Sequence, residues 1–506
     1  MVYSDKSYEL NDRSRETLGL FPVLVLSHGK FNHMVLLTSG LILLNVSMES
    51  VGMSYVISAA ECDLNLTSKD KGLANSSTFI GIITTSFLWG YLGDRYGRRA
   101  VMLPAIIASA VISIASAFST NVWMLAILRI LAGSLVSASS ATVYAYLGEM
   151  HVSSKRATAI AWCSVFISFS FIILPGLAWL IIPGTWSFII GPLKVVPWRA
   201  FVAIWCVPGL IAAVALFFLP ESPKFIIALK GPDEALPVLA KMYACNFKKN
   251  VKKISTSGDN EKVRSGGFVG AMKNTFHMFK PPLLRCVCIS HVSMFAVFML
   301  SSGLYMWVPD ILNSILTNTS EESITICEII HHKFESTKKF TVNAPCNPEV
   351  SVTVFPISMM MGAFFALTYL AIGVFISRIG KKTLYSAIMI VCGAATVGAG
   401  FVHGGISTTV LLILALCSGC AASILAAIAV DVFPTSMRAM AMCIMYMVGR
   451  GGAAVGSNIL GSLLDKHCLT AFTVFGAFTA GSTVLMLLWP NPERVRSKME
   501  DKGLSY

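Results

Sequence analysis

The sequence predicts an all-α membrane protein of twelve transmembrane helices, built as two six-helix repeats. Three observations predict it. Of the 506 residues, 55% are hydrophobic and only 13% charged, where a soluble domain carries about 25% charged residues. Apolar runs of about 20 residues, each enough to cross a bilayer, recur along the chain. Two motifs also return at nearly one offset. Gly90-x6-Gly97-Arg98-Arg99 recurs as Gly373-x6-Gly380-Lys381-Lys382, 283 residues on, and Glu149-x6-Arg156 recurs as Asp431-x6-Arg438, 282 residues on. Two independent motifs at one spacing mark a duplicated unit. Asp94 of the first copy falls opposite Ser377 of the second.

In chain order, residues 1–31 form a polar tail. A first bundle over 32–219 holds helices near 32–60, 72–92, 100–119, 121–149, 157–182 and 198–219. A polar linker covers 220–284, with short helices and a Pro232-Asp233-Glu234 helix start. Its 246–266 stretch is rich in Lys, Ser and Gly and reads as flexible. The second bundle, 285–489, holds helices near 285–311, 352–377, 383–403, 407–432, 439–463 and 469–489, and a short tail covers 490–506. An outer loop, 312–350, follows helix 7. Residues 1–20 contain no apolar core, so helix 1 is expected to serve as an uncleaved signal.

Charge sets the orientation. Of the 39 Lys and Arg, 29 fall in segments on one face, eight on the other, and Arg129 and Arg450 lie within helices. Basic loops stay cytoplasmic, which puts both termini inside. The net charge of +13 is thereby a matter of topology and membrane lipid, with no nucleic-acid partner implied. Asn318-Thr319-Ser320 and Asn65-Leu66-Thr67 are glycosylation acceptors on the outer side. Cys327 and Cys346 share the outer loop and are candidates to pair in an oxidising compartment. The other cysteines follow no metal or redox spacing and read as small buried hydrophobes.

Glu49, Arg129 and Arg450 lie inside predicted helices, where an ionised group costs at least ~2.5–3.5 kcal/mol against lipid. Glu49 and Arg129 sit at similar depths, roughly 16 Å and 12 Å from the outer ends of their helices at 1.5 Å per residue. They are expected to face each other or to share a substrate. Asn45 lies on the same helical face as Glu49. Tyr446 and Arg450 make a second polar stripe, on helix 11, and Trp179 and Tyr305 are candidate cavity aromatics. The sequence shows no hydrolase triad, phosphate-binding loop or metal cluster. No enzyme, cofactor or resident metal is implied, and the chain is expected to act as a monomer.

The string Gly90-Tyr91-Leu92-Gly93-Asp94-Arg95-Tyr96-Gly97-Arg98-Arg99 resembles the loop joining helices 2 and 3 of the major facilitator superfamily. Pro220-Glu221-Ser222-Pro223 resembles the signature that ends the first half of its sugar and organic-ion porters. Gly29-Lys30-Phe31 before a helix with Glu49, Ala178-Trp179-Leu180-Ile181-Ile182-Pro183, Trp198-Arg199 and Trp307-Val308-Pro309-Asp310 make the chain look like a divergent member of the synaptic vesicle glycoprotein 2 family. The resemblance implies a central cavity lined by helices 1, 4, 7 and 10. It also implies a cytoplasmic gate of Gly90, Asp94, Arg95, Gly97, Arg98, Arg99, Glu149, Arg156, Glu221, Asp431 and Arg438, which holds the halves together when the cavity opens outward.

The expected function is secondary active or facilitative transport of a small organic solute by alternating access, with an organic ion favoured and protons as the candidate coupling ion. The chain contains no glutamine, whereas sugar porters use glutamines in helices 5 and 7, so sugar is disfavoured. The alternative is a non-transporting vesicle or membrane protein acting in binding or trafficking. The sequence leaves plasma membrane and vesicle membrane both open.

Overall fold

A computed structural model describes residues 29–151, 153–190, 193–247, 277–317, 325–331, 351–430, 432–433, 435–464 and 467–490. Helix 1 runs over Lys30–Val51 and resumes as Met53–Leu64 after Gly52. Helices 2 to 5 are Ser68–Tyr96, Arg98–Ser116, Val122–Glu149 and Ser153–Ile181. Helix 6 is Pro197–Ile204 followed by Val207–Phe218. Helix 7 is Leu284–Phe298, a π turn at Met299–Gly303, and Val308–Thr317. Helices 8 and 9 are Val354–Ile379 and Lys381–Phe401. Helix 10 is Gly405–Leu416, a 3-10 turn at Cys417–Cys420, and Ala421–Val430. Helices 11 and 12 are Thr435–Leu463 and Cys468–Leu487. A small hairpin pairs Phe188–Ile190 with Leu193–Val195 between helices 5 and 6.

Ten of these twelve spans are apolar enough on their own to cross a membrane. Helices 2 and 11 fall short despite 29 residues each, and their packing explains why. They lie against each other across the seam between the halves. A Cβ on Gly72 of helix 2 would stand 3.3 Å from the Ser457 carbonyl oxygen and 3.5 Å from the Gly461 Cα of helix 11. Small residues let backbones approach closely, and polar atoms facing protein need no hydrocarbon. Helices 5 and 8 form the second seam, where Gly362 sits against the backbone of Phe171.

The duplication is visible in backbone angles. Gly97 and Gly380, 283 residues apart, adopt φ/ψ of 112°/148° and 90°/142°. Only glycine takes this conformation without strain. Both residues join paired helices: 2 to 3 in the first half, 8 to 9 in the second. The linker begins with Pro223–Lys230, whose N-cap Ser222 accepts from the Phe225 N–H, and Pro232–Phe247 follows.

At Gly97 a Cβ would also strike the Glu221 carboxylate, whereas Gly380 has open space around it. Gly97→Ala is expected to lower stability by about 1–3 kcal/mol. Gly380→Ala should cost less, because backbone strain acts there without the clash. Thermal unfolding of the two variants in detergent checks the order.

Candidate functional site

Four polar constellations lie on this frame. The first is a buried ion pair inside the N-terminal half. Arg129 Nη1 on helix 4 donates to Glu49 Oε2 on helix 1 at 2.9 Å, and both side chains are 0% exposed. Ser113 of helix 3 donates to Glu49 Oε1 at 2.5 Å. The guanidinium lies 5.1 Å from the Trp205 ring centre at the break in helix 6. Gly52 makes room for that indole, since a Cβ there would be 2.5 Å from it. One ion pair therefore joins helices 1, 3, 4 and 6. Asn45 packs against Gly209 of helix 6, and its amide oxygen is buried without a hydrogen bond. The stripe of Asn45 and Glu49 thus faces the interior of one half rather than the space between the halves.

The second constellation joins the two halves at the end of the seam where helix 1 leads into helix 2. Tyr55 of helix 1 and Tyr305 of helix 7 share a hydrogen bond of 3.0 Å. Asp310 accepts from Ser58 at 3.2 Å and pairs with Lys71 at 3.4 Å, while Lys71 also reaches Glu61 at 2.9 Å. Asn75 of helix 2 donates to the Met306 carbonyl at 3.0 Å. Phe171 of helix 5 stacks edge-on against Tyr305 and against Phe365 of helix 8.

The third lies deeper on the same seam. Arg450 is the sixteenth of the 29 residues of helix 11, roughly 22 Å from that helix's N-terminal end at 1.5 Å per residue. Its Nη1 donates to Ser140 Oγ on helix 4, in the opposite half, at 3.0 Å. Tyr144, one turn beyond Ser140, and Tyr446, one turn before Arg450, lie within its electrostatic range.

The fourth is the motif at the turn between helices 2 and 3. Glu221 accepts the backbone N–H groups of Arg98, Arg99 and Ala100, each at 3.1 Å. A carboxylate there satisfies orphan donors at the N-terminus of helix 3 and complements its dipole. Arg98 pairs with Asp94 at 2.8 Å and Glu149 at 3.1 Å, and its guanidinium sits 5.2 Å from the Phe225 ring centre. Arg99 donates to the carbonyls of Leu216 and Phe217, the C-terminal end of helix 6. These partners all belong to the first half or the start of the linker, so the motif ties helices 2, 3, 4 and 6 to one another. Arg95 is exposed and bonded to the Tyr91 hydroxyl, and Gly90 has open space around it. Asp431 and the side chains of Arg156 and Arg438 lie outside the described residues.

Among the other sequence candidates, Tyr305 belongs to the second constellation. Trp179 is 44% exposed near the C-terminal end of helix 5, the place of an interfacial aromatic. Asn65 is exposed in a left-handed turn (φ 50°) between helices 1 and 2. Asn318 and Cys346 lie outside the described residues. The expected Cys327–Cys346 pairing is overturned: Cys327 is disulfide-bonded to Cys468, with Cα atoms 5.5 Å apart. Sharing a loop in sequence does not bring thiols together. Thr325 bridges to His403, and Ile326 and Ile330 are buried in the core. This anchoring carries the segment to the start of helix 12. Cys62 is also disulfide-bonded.

Sequence reasoning missed Lys71, Asp310, Ser140 and Tyr144. Ser140–Tyr144 and Tyr446–Arg450 have the same i, i+4 spacing on two interior helices, a signal for facing polar stripes.

Two joined six-helix halves, with a seam closed on one side and polar groups set between them, define a multi-pass membrane protein of transporter architecture. The family model described as Major Facilitator Superfamily matches residues 35–326 and 338–503, and the chain belongs to that superfamily. It is similar to synaptic vesicle glycoprotein 2A of Pongo abelii, 31% identical over 224 residues, and to synaptic vesicle glycoprotein 2C of Mus musculus, 29% identical over 223. Each match covers 44% of this chain but only 30% and 31% of those relatives' lengths. In fold, it is similar to the xylose transporter XylE from E. coli in a partially occluded inward-open conformation. The TM-score is 0.65 at 15% identity, covering 91% of this chain and 100% of that one. The nucleoside transporter NupG gives a TM-score of 0.60 at 14% identity, covering 92% and 99%.

Removing the acid from the buried pair leaves a desolvated guanidinium without its partner. Glu49→Gln is expected to lose about 3–5 kcal/mol of stability, and Glu49→Leu combined with Arg129→Met should recover most of the loss. Thermal unfolding in detergent measures both. Cys468→Ser should make Cys327 reactive to a maleimide reagent, while Cys62→Ser should leave it blocked. Mass-shift labelling reads this directly.

Proposed function

We propose that the chain is a secondary transporter that moves a small organic ion across its membrane by alternating access between the two six-helix halves. One observation carries the reading. Hydrogen bonds and ion pairs close the outer end of the seam, and a polar group contributed by both halves lies beneath them near mid-membrane. The outer contacts combine hydrogen bonds and an ion pair with apolar packing around Tyr55, Phe171 and Tyr305, an interface of the kind that switches between discrete arrangements. Substrate enters while the outer contacts are apart. Closing Tyr55 on Tyr305, and Ser58 and Lys71 on Asp310, then shuts the way back.

Both termini are read as cytoplasmic. The Lys and Arg asymmetry supports this, as do the oxidised cysteines Cys62, Cys327 and Cys468 near the less basic face. A proton is the candidate coupling ion, since one fold neighbour is a D-xylose-proton symporter. A second reading, a vesicle or membrane protein that binds or traffics without transport, draws on the names of the curated relatives.

Cysteines placed at Ser58 and Asp310 test the motion. An oxidative cross-link between them is expected to abolish proteoliposome uptake of any solute the wild type accumulates from a mixed library of organic ions, and reductant should restore it. Uptake that continues unchanged with the cross-link formed rejects alternating access through this seam. Absence of uptake by well-folded wild type across the whole library favours the second reading.

A further inference from the structure

We propose that the transported ion is an organic anion, and that Arg450 is the residue that recognises its charge. This deepens the transporter reading and rests on it.

The buried cations of the bundle, and Arg98 beside them, are paired with acids, whereas Arg99 at the end of helix 6 is held by backbone carbonyls. Arg129 has Glu49, Lys71 has Glu61 and Asp310, Arg199 has Asp63, and Arg98 has Asp94 and Glu149. Each sits against a carboxylate within 3.4 Å. Among the described residues Arg450 is paired with none. A guanidinium has five N–H donors in a rigid fork that matches a carboxylate. The hydrogen bond described for it goes to a neutral hydroxyl, Ser140 Oγ. A cation at mid-membrane without an acid marks a substrate pathway more often than a packing site.

The surroundings add the organic part. Tyr144 of helix 4 and Tyr446 of helix 11 flank the guanidinium, and Tyr369 of helix 8 neighbours those two tyrosines. Tyr369 is 39% exposed, and its hydroxyl reaches the Gly419 carbonyl of helix 10 at 3.4 Å. Tyr446 in turn packs edge-on against Phe298, just before the π turn of helix 7. Three phenols supply flat apolar faces and hydroxyl donors together, which suits a small aromatic or aliphatic body with one acidic group. A single arginine suits a monoanion. Because Tyr144 and Arg450 belong to opposite halves, an anion accepting from the guanidinium and the Tyr144 hydroxyl touches both halves. This is the condition for its binding to bias their relative position.

The test uses the full chain in nanodiscs, probed with benzoate, 2-naphthoate, benzenesulfonate and hexanoate, against the matched cation benzylammonium and neutral benzamide. At least one anion is expected to bind with Kd in the micromolar to millimolar range, while benzylammonium and benzamide do not compete. Arg450→Gln should weaken that binding at least about thirtyfold, and Arg450→Lys less than Arg450→Gln. Unfolding temperature and monodispersity of the unliganded variants show whether they are folded. Tyr446→Phe serves as the second variant if Arg450→Gln does not fold, with an expected severalfold loss. Binding of benzylammonium or benzamide in preference to every anion, no binding by any anion, or anion affinity unchanged in folded Arg450→Gln each overturns the proposal. Anion binding without proteoliposome uptake leaves the anion site standing and defeats the transporter reading. Uptake of a cation that is indifferent to Arg450 does the reverse.

Discussion

A guanidinium or ammonium group inside a bilayer must be answered by an acid, by a ring of hydroxyls or by a ligand, and the architecture of this chain follows from how each one is answered. Arg129 and Glu49 gather four helices of the first half around one fully buried contact. Arg199, held by Asp63 and by the carbonyls of Ala117 and Ser119, fixes one end of helices 1, 3 and 6. Arg98, Arg99 and Glu221 do the same at the opposite end of the bundle. The first half is thereby braced at three levels. Lys71 differs because one of its acids, Asp310, belongs to the other half. An interaction that braces elsewhere becomes a latch there.

The two halves do not use their shared ancestry in the same way. The glycine conformation that turns helix 2 into helix 3 is kept at the turn from helix 8 into helix 9, yet Gly97 faces the Glu221 carboxylate and Gly380 faces open space. Backbone geometry survived duplication because only glycine satisfies it. Glu221 belongs to the linker, so the first copy draws on a segment that joins the two repeats.

The fold was legible in the sequence because membrane spans announce themselves by length and apolarity, and the repeat by two motifs at one spacing. The Glu49–Arg129 contact was legible too, since two opposite charges at matching depth have few alternatives. Its location was not: a polar stripe on helix 1 says that the helix has a protein-facing side, not which neighbour it faces. Lys71 and Asp310 stayed hidden because each lies near a helix end, where a charge reads as a solvated rim. Cys468 stayed hidden because it opens an apolar run, and the proximity of Cys327 to it depends on Ile326 and Ile330 being buried in the core. Pairings of this kind come from tertiary packing, which no local pattern encodes.

The Cys327–Cys468 bond has a mechanical consequence. It staples segment 325–331 to helix 12, and both ends of the staple belong to the second half. Under the proposed rocking of the halves, this segment rides as cargo on the second half and acts as no hinge. A probe fixed to it would report the tilt of that half without braking it, a natural handle on a surface that a cross-link across the seam would lock.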